Sequence, residues 1–254
     1  AVDEAYDGSG ATYDFYYEVF QRNSIDGLGM RLDSTVHFDR KYDNAFWNGS
    51  QMVYGDGDGE LFDRFTKSID VIGHELTHGV TQSEAALIYR GQSGALNESF
   101  SDVFGSLIKQ KTLNQTADQA DWLIGQGLLT SKVNGVALRS MKAPGTAYDD
   151  RVLGKDPQPA LLKNLYTGTA DNGGVHINSG IPNRAFYLAA IEIGGYAWEK
   201  AGKIWYVALT ERLSRRATFK TAASATVALA AELYGRNGKE HVAVQNAWKT
   251  VGVI

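Results

Sequence analysis

The stretch His74-Glu75-Leu76-Thr77-His78 decides how the rest of the chain is interpreted. On a helix, His74 and His78 lie one turn apart on the same face, with Glu75 beside the first of them. Two imidazoles in this arrangement can bind one zinc ion, and the neighbouring carboxylate can reach a water molecule on the metal. The alternative is a pair of surface histidines beside a helical acid, and five residues alone leave both interpretations open.

A second amphipathic segment offers the third protein ligand that a zinc site needs. Its apolar positions recur at helical spacing, at Leu96, Phe100, Val103, Phe104, Leu107 and Ile108. Glu98 and Asp102 share the opposite face, which amphipathicity alone would make a solvated acidic surface. The small residues Ser101 and Gly105 on that side instead allow another helix to approach closely. The segment therefore predicts Glu98 as the third ligand.

The remaining polar residues of this segment can hold the ligand histidines in place. Asp102 can accept a hydrogen bond from the nitrogen of one ligand histidine that does not face the metal, and Asn97 can do the same for the other. The predicted site then has His74, His78 and Glu98 on the metal, with Asp102 and Asn97 behind the imidazoles.

The order of the predicted elements sets the fold class. Helices are predicted over residues 11–22, 68–80, 96–108, 182–193, 200–213, 219–234 and 240–250, and strands over 32–38 and 51–54. Gly73 and Gly79 each cost about 1 kcal/mol relative to Ala in an isolated helix, so tertiary packing must offset them. Strands early and helices later predict an α+β fold with two lobes. A mixed N-terminal lobe over 1–86 ends in the zinc-binding helix, and a mainly helical lobe follows over 87–254, with the site in the cleft.

Composition narrows the function classes. The chain has 254 residues, 43% of them hydrophobic and 21% charged, with a formal net charge of -4. Basic residues are scattered, so the sequence offers no electrostatic footprint for nucleic acid, and no apolar run is long enough to span a bilayer. There is no cysteine, so any metal must be held by His, Asp or Glu.

Five segments together resemble the thermolysin family of neutral zinc metalloendopeptidases. They are Asn44-Ala45-Phe46-Trp47-Asn48-Gly49, the His74 motif through Gly79, Gly94-Ala95-Leu96-Asn97-Glu98-Ser99-Phe100-Ser101-Asp102, Leu138-Arg139-Ser140-Met141, and Asp171-Asn172-Gly173-Gly174-Val175-His176-Ile177-Asn178-Ser179-Gly180. The resemblance runs in order over essentially the whole chain. The lack of cysteine and the compact length resemble the protealysin-like branch.

The resemblance implies a role for each matching catalytic position. Glu75 is the expected general base, which activates water together with zinc and passes the proton to the leaving amine. Tyr89 and His176 match the donors to the tetrahedral oxyanion, and Asp171 matches the residue that orients His176.

Substrate-binding positions follow in the same way. Arg139 matches the residue that binds the substrate carbonyl after the scissile bond, and Asn44 and Ala45 match an edge segment that holds the substrate backbone by β-augmentation. The positions of the side-chain pocket on the amine side are all apolar here: Phe62, Phe65, Val71, Ile124, Leu128 and Leu138. The resemblance therefore predicts cleavage before large hydrophobic residues, although such residues are most often simply core.

One part of the family pattern is broken. The paired calcium site of the thermolysin type aligns with Asp70, Lys109, Asp121, Leu123 and Gln126. Lys109 brings a positive charge where calcium needs oxygen ligands. We predict that the paired calcium site is absent and that Lys109 pairs with Asp70 or Asp121, leaving the calcium content otherwise open.

The resemblance also sets expectations for partners and compartment. Protein or peptide substrates, the enzyme's own propeptide, a monomeric state and secretion are expected, while intracellular action stays open because no leader is visible at Ala1. The family usually carries a further β-rich segment before this point. Two alternatives remain: a zinc aminopeptidase, whose Gly-Ala-Met-Glu-Asn motif has no match here, and a metal-stabilised binding module without catalysis.

Overall fold

The computed structural model describes residues 1–254 in full. Helix α1 (Val2–Phe20) precedes three short strands, β1 (Ser34–Thr35), β2 (Ala45–Trp47) and β3 (Met52–Tyr54). They form one sheet in the order β1-β3-β2, with β1 parallel and β2 antiparallel to β3. The strand β2 therefore lies at an edge of the sheet.

Two long helices cross at the centre of the molecule. These are α2 (Ile69–Ser83) and α3 (Gly91–Thr112). Residues 94–110 of α3 are all buried, so this helix is surrounded by protein rather than lying on the surface. The predicted helix motif at His74 thus belongs to the central pair of helices.

The second half of the chain is mainly helical. Two small antiparallel strand pairs come first, β4 (Leu123–Ile124) with β5 (Arg139–Ser140) and β6 (Asp149–Asp150) with β7 (Gly154–Lys155). The helices α4 (Ala170–Asn178), α5 (Gly180–Ile193), α6 (Ala201–Val207), α7 (Phe219–Tyr234) and α8 (Lys239–Thr250) follow. A mixed strand and helix part followed by a mainly helical part confirms the predicted α+β class.

Aromatic side chains fill the core of the helical part. Phe186 lies edge-on to Trp205 with ring centroids 5.1 Å apart, and Trp205 stacks on Trp248 at 6.2 Å. Trp248 also donates its indole N–H to Thr226 Oγ1 at 2.8 Å. Such buried rings each remove a large apolar area from water, so they fix the helices that flank the site. No helix combines the length and hydropathy needed to cross a membrane.

Several predicted boundaries are wrong. The helix predicted over 11–22 begins at Val2. Glycines in its first half lower helix propensity, so the sequence pattern did not predict this part. The same glycines permit close packing, since a Cβ on Gly8 would lie 2.3 Å from Ile72 Cδ1. The strand predicted over 32–38 shrinks to Ser34–Thr35, and the helix predicted over 200–213 becomes α6 and a π-helical turn, Ala208–Arg212. The segment β2 was not predicted as a strand, since Ala45-Phe46-Trp47 shows no alternation.

Candidate active site

The three predicted metal ligands come together where α2 crosses α3. His74 and His78 project from the same face of α2, and their Nε2 atoms lie 3.2 Å apart. One carboxylate oxygen of Glu98 on α3 is 3.3 Å from His74 Nε2, and the other is 3.5 Å from His78 Nε2. Glu98 is 1% exposed, so the solvated acidic face that amphipathicity suggested is wrong for this helix.

These donor atoms fit a zinc ion. A tetrahedral zinc with bonds of about 2.0–2.1 Å keeps its ligand atoms about 3.3 Å apart. The two imidazole nitrogens lie 3.2 Å apart, each has a different Glu98 oxygen at 3.3 or 3.5 Å, and one ligand atom from each of the three residues lies within 4.8 Å of the others. Two imidazoles and one carboxylate are also a donor set that zinc takes in catalytic sites, where a fourth position stays open. His74, His78 and Glu98 would hold the metal.

The ligand imidazoles are held from behind by the predicted partners. His74 Nδ1 lies 2.7 Å from Asp102 Oδ1, and His78 Nδ1 lies 2.7 Å from Asn97 Oδ1. Since a carboxylate only accepts hydrogen bonds, Nδ1 of His74 carries the proton and Nε2 is free to face a metal. Asp102 and Asn97 therefore lie behind the two imidazoles, at the places that the sequence predicted for them.

The ionised carboxylates of the site favour the binding of a positive charge. Burial would raise the pKa of Asp102, but the neighbouring charges of Arg139 and His74, with their hydrogen bonds, outweigh it and lower that pKa. Burial likewise opposes ionisation of Glu98, but its electrostatic interactions with the surrounding histidines and a hydrogen bond with His74 outweigh burial and hold the pKa of Glu98 well below its usual value. Both carboxyl groups therefore stay ionised, Glu98 beside the ligand nitrogens and Asp102 behind the His74 imidazole.

Glu75 lies beside the ligand triangle and faces a cavity. Its Oε2 accepts the backbone N–H of Trp47 at 3.2 Å, and the Trp47 indole donates to Gln82 Oε1 at 3.2 Å. The cavity has a volume of about 470 Å³ and is also lined by His78 and Tyr89. Trp47 was not singled out from the sequence, because a backbone donor leaves no mark on residue type.

Tyr89 and His176 meet beside Glu98. Tyr89 donates its hydroxyl to Glu98, and its oxygen lies 3.1 Å from His176 Nε2. The Asp171 carboxylate accepts two hydrogen bonds from His176, one from the ring Nδ1 at 2.6 Å and one from the backbone N–H at 2.7 Å. Burial, reinforced by the charge of Glu98, raises the pKa of Tyr89, so its hydroxyl stays a donor.

Arg139 is anchored to the site rather than free in the cleft. Its Nε donates to Asp102 Oδ2 at 2.8 Å and its Nη2 to Asp102 Oδ1 at 2.7 Å. This is a bidentate pair with planar geometry on both sides. Nη1 has no partner within the protein, so only one edge of the guanidinium remains available to a ligand.

The predicted backbone-binding segment lies on the free edge of β2. Asn44 O accepts the N–H of Gly55, and the N–H of Asn48 donates to Gln51 O, so the even positions face β3. Alternation in an antiparallel pair then turns the N–H and C=O of Ala45 away from β3. These two groups therefore point away from the sheet, although Ala45 as a whole is only 3% exposed.

The apolar set divides by burial. Phe65, Val71, Ile124 and Leu128 are buried, while Phe62 and Leu138 are partly exposed. The rings of Phe62 and Phe65 lie 5.8 Å apart, and the backbone N–H of Leu138 donates to Ile124 O. Phe62 and Leu138 are therefore the members of this set whose side chains are most open to a bound side chain.

Lys109 pairs with both predicted partners. Its Nζ lies 3.0 Å from Asp70 Oδ2, 3.0 Å from Asp121 Oδ1 and 2.9 Å from the carbonyl oxygen of Leu123. The predicted ion pair is confirmed, and it involves both carboxylates rather than one of them. An ammonium group thus ties α2, α3 and the start of β4 together.

Other polar residues of the site were missed from the sequence. Asn183 Nδ2 donates to Asp102 Oδ2 at 2.8 Å, and Ser101 Oγ lies 3.2 Å from His78 Nδ1. Gln158 Nε2 donates to the carbonyl oxygen of His176 at 2.7 Å. The one available signal for Asn183 was an amide on the same helix face as the apolar residues Phe186 and Ala190, which follow at helical spacing.

Comparison with known proteins identifies the class as a metallopeptidase. Residues 1–82 match the family model described as thermolysin metallopeptidase, catalytic domain, and residues 85–253 match the thermolysin metallopeptidase, alpha-helical domain. The chain belongs to the thermolysin family of zinc metalloendopeptidases.

Individual relatives are similar over the whole chain. The extracellular metalloprotease of Pectobacterium carotovorum is 58% identical over 100% of this chain and 73% of its own length. Protease PrtS of Photorhabdus is 56% identical over 100% of this chain and 68% of its own length. The structure of the precursor of protealysin from Serratia proteamaculans superimposes with a TM-score of 0.97 at 62% identity, covering 100% of this chain and 78% of that one. The protealysin branch is thereby supported.

Proposed function

We propose that the chain hydrolyses internal peptide bonds and prefers a large hydrophobic residue on the amine side of the scissile bond. The observation that carries this proposal is the donor triangle of His74, His78 and Glu98 with Glu75 beside it. Tyr89 and His176 lie at the same triangle, 3.1 Å from each other. Metal ligands, base and oxyanion donors are thus within reach of one substrate carbonyl.

Glu75 is the group that moves the proton. Zinc bound at the triangle would supply Lewis-acid activation of water and of the scissile carbonyl. Glu75 accepts the proton of the attacking water and returns it to the leaving amine. The Trp47 N–H on Oε2 fixes the carboxylate, so that its other oxygen is left for the proton.

Tyr89 and His176 stabilise the negative charge that develops on the carbonyl oxygen. Their donor atoms are close enough to share one acceptor, and Asp171 holds the His176 ring before substrate arrives. A donor that needs no reorganisation, as His176 held by Asp171, contributes most to such stabilisation, whereas Tyr89 must first release its hydrogen bond to Glu98.

The substrate backbone is held on either side of the reacting bond. Ala45 directs its N–H and C=O away from β3 on the edge of the sheet, next to Asn44, and would bind the substrate backbone there, while Arg139 offers Nη1 to a carbonyl after the scissile bond. An extended peptide added to a strand edge gains main-chain hydrogen bonds that do not depend on sequence. Selectivity must then come from side-chain contacts.

The apolar set supplies that selectivity. Phe62 and Leu138 would contact the side chain after the scissile bond, backed by buried Phe65 and Val71. A missing methylene in such a pocket changes specificity by about 10–200-fold. Blocked peptides that differ only in Leu, Val, Gly or Asp at this position should be cleaved in that order.

Secretion and activation from a precursor complete the proposal. Both relatives named above are proteases, one of them extracellular, and the similar structure is that of a precursor. We therefore propose a secreted, monomeric enzyme whose own propeptide is a partner, with lobes divided at residues 86 and 87, between α2 and α3.

The test is hydrolysis of casein by three samples: wild type, Glu75→Gln, and wild type treated with a zinc chelator. Loss of the base should lower kcat by about 10²–10⁴-fold while the bound zinc remains, and chelation should abolish activity until zinc is restored. Glu60→Gln changes an exposed glutamate and serves as the matched control. Unchanged hydrolysis in either treated sample would refute the zinc mechanism, and cleavage of free amino-terminal peptides alone would favour an aminopeptidase.

A further inference from the structure

The carboxylate of Asp102 accepts hydrogen bonds from three separate elements. Oδ1 lies 2.7 Å from His74 Nδ1 and accepts Arg139 Nη2 at 2.7 Å. Oδ2 accepts Arg139 Nε at 2.8 Å and Asn183 Nδ2 at 2.8 Å. A carboxylate has about four acceptor positions, so these contacts fill it. Asp102 is 0% exposed, and α2, β5 and α5 all converge on it.

The contact of Asn183 with Asp102 has one possible orientation. Because a carboxylate cannot donate, the NH2 end of the amide must face Asp102. The other end, Oδ1, is buried and has no partner within the protein, so Asp102 is the only group that the Asn183 side chain binds. The residue is 0% exposed and sits in the first turns of α5, in the helical half of the chain.

We propose that Asn183 is a positioning residue of the zinc site, which fixes the His74 imidazole through Asp102. The inference rests on the proposed function, since it takes His74 as a zinc ligand. Asn183 pins the Oδ2 side of the carboxylate, which prevents Asp102 from turning away from His74. It also links α5 to a ligand carried by α2.

Arg139 cannot replace Asn183 in this role. The Arg139 guanidinium also binds Asp102, but its side chain is 17% exposed and reaches the cleft. A ligand in the cleft can therefore bind the same guanidinium. The Asn183 side chain is fully buried and has no second hydrogen-bond partner. Its hydrogen bond to Asp102 therefore does not depend on bound substrate. Loss of partners behind a ligand histidine lowers metal affinity or activity by about 10–100-fold, and we expect Asn183 to lie at the lower end of that range.

The experiment compares zinc binding and kinetics in wild type, Asn183→Leu and Thr226→Val. Leucine keeps the branched shape and the number of heavy atoms of the Asn183 side chain and removes the donor. Thr226→Val removes another buried hydrogen bond, the one from Trp248, and controls for general loss of stability. Chelator competition should show zinc affinity about 10-fold weaker in Asn183→Leu, with kcat lower and KM unchanged at saturating zinc. Thr226→Val should match wild type, and the visible spectrum of the cobalt-substituted protein should change only in Asn183→Leu.

Wild-type affinity and cobalt spectrum in Asn183→Leu would overturn the inference. His78→Ala is included because it tests the proposed function separately: if that variant binds zinc as tightly as wild type, the ligand assignment itself is wrong. Should Asn183→Leu not fold, NMR of the wild-type protein gives the answer. The Asn183 side-chain NH2 resonances should shift when zinc is added to the apoprotein, and resonances that stay in place would overturn the inference.

Discussion

Gly73 and Gly105 face each other where α2 crosses α3. A Cβ on Gly73 would lie 3.2 Å from Gly105 Cα, and a Cβ on Gly105 would lie 2.3 Å from the carbonyl oxygen of Asp70. The two backbones therefore approach within a distance that no other residue pair allows. This contact lets Glu98 on α3 reach His74 and His78 on α2.

Gly105→Ala should destabilise the protein and weaken zinc binding. Alanine favours a helix by about 1 kcal/mol over glycine, but the contact is with backbone, which no rotamer change can relieve. Overpacking of this kind costs about 1–3 kcal/mol, so the clash outweighs the helix propensity. Thermal unfolding and chelator competition measure the two effects.

Gly10→Ala is the matched control for that substitution. Gly10 lies in α1, and a Cβ there would meet nothing within 4 Å. Helix propensity acts alone in this case, so Gly10→Ala should stabilise the protein by about 0.5–1 kcal/mol. If Gly105→Ala were equally stabilising, the close approach of the helices would not be needed for the site.

Gly73 and Gly105 also show which parts of the metal site could be predicted from the sequence and which could not. Spacing placed His74 and His78 on one helix face, and small neighbours indicated that Glu98 could approach them. Asp102 and Asn97 followed, because a ligand imidazole needs a partner at its second nitrogen. Local composition argued against the helix at Gly73 and Gly79, and only the packed partner, which is remote in sequence, reverses that preference.

The missing parts of the prediction have a common cause. Asn183 is 81 positions from Asp102, and Trp47 acts on Glu75 through a backbone N–H. Neither contact leaves a local pattern of residue types. The π-helical turn at Ala208–Arg212 likewise has no signature in the residue pattern of this segment. Long-range contacts of this kind can be seen only once the chain is folded.

His176→Ala should lower kcat and leave KM nearly unchanged. The residue acts on charge that develops only in the transition state, and removal of one such donor costs about 10²–10³-fold in kcat. His37→Ala is the control, since His37 forms a similar exposed pair with Asp56 at 2.8 Å but lies on the loop after β1. Steady-state kinetics on a blocked peptide compare the variants. An unchanged kcat in His176→Ala would remove this residue from the mechanism.

Lys109→Met should destabilise the protein far more than Lys111→Met. Lys109 is the buried partner of Asp70 and Asp121, and its loss leaves a buried carboxylate unpaired, which costs about 3–5 kcal/mol. Lys111 forms a surface pair with Glu18, and such pairs contribute about 0–1 kcal/mol. Chemical denaturation measures both.

Wild type should show no tight calcium binding at Asp70, because the Lys109 ammonium lies among the same oxygens. In Lys109→Met those oxygens are released, and calcium prefers a cluster of them, so calcium should recover part of the lost stability in the variant alone. Isothermal titration of both proteins checks this. Tight calcium binding by wild type that Asp70→Ala abolishes would show that the paired site is present after all.

Glu4→Gln should remove part of the acid sensitivity of folding. A hydrogen bond from Arg64 is the main cause that lowers the pKa of Glu4 from 4.5 to about 2, with Thr66 assisting. The folded value lies below the unfolded one, so the ionised pair stabilises the fold above pH 4.5 and this contribution is lost as the pH falls toward 2.

Solvent screening limits how much the Glu4–Arg64 pair contributes to the free energy of unfolding. The side chains of Glu4 and Arg64 are 31% and 41% exposed, so screening reduces it to about 1 kcal/mol at neutral pH. Denaturation of the zinc-free protein at pH values on both sides of this range measures it without interference from metal loss. The free energies of unfolding of wild type and Glu4→Gln should differ at neutral pH and converge at low pH, because Glu4 is then protonated and its pairing with Arg64 is lost. A constant difference across the range would mean that Glu4 stabilises the fold by its packing rather than by its charge.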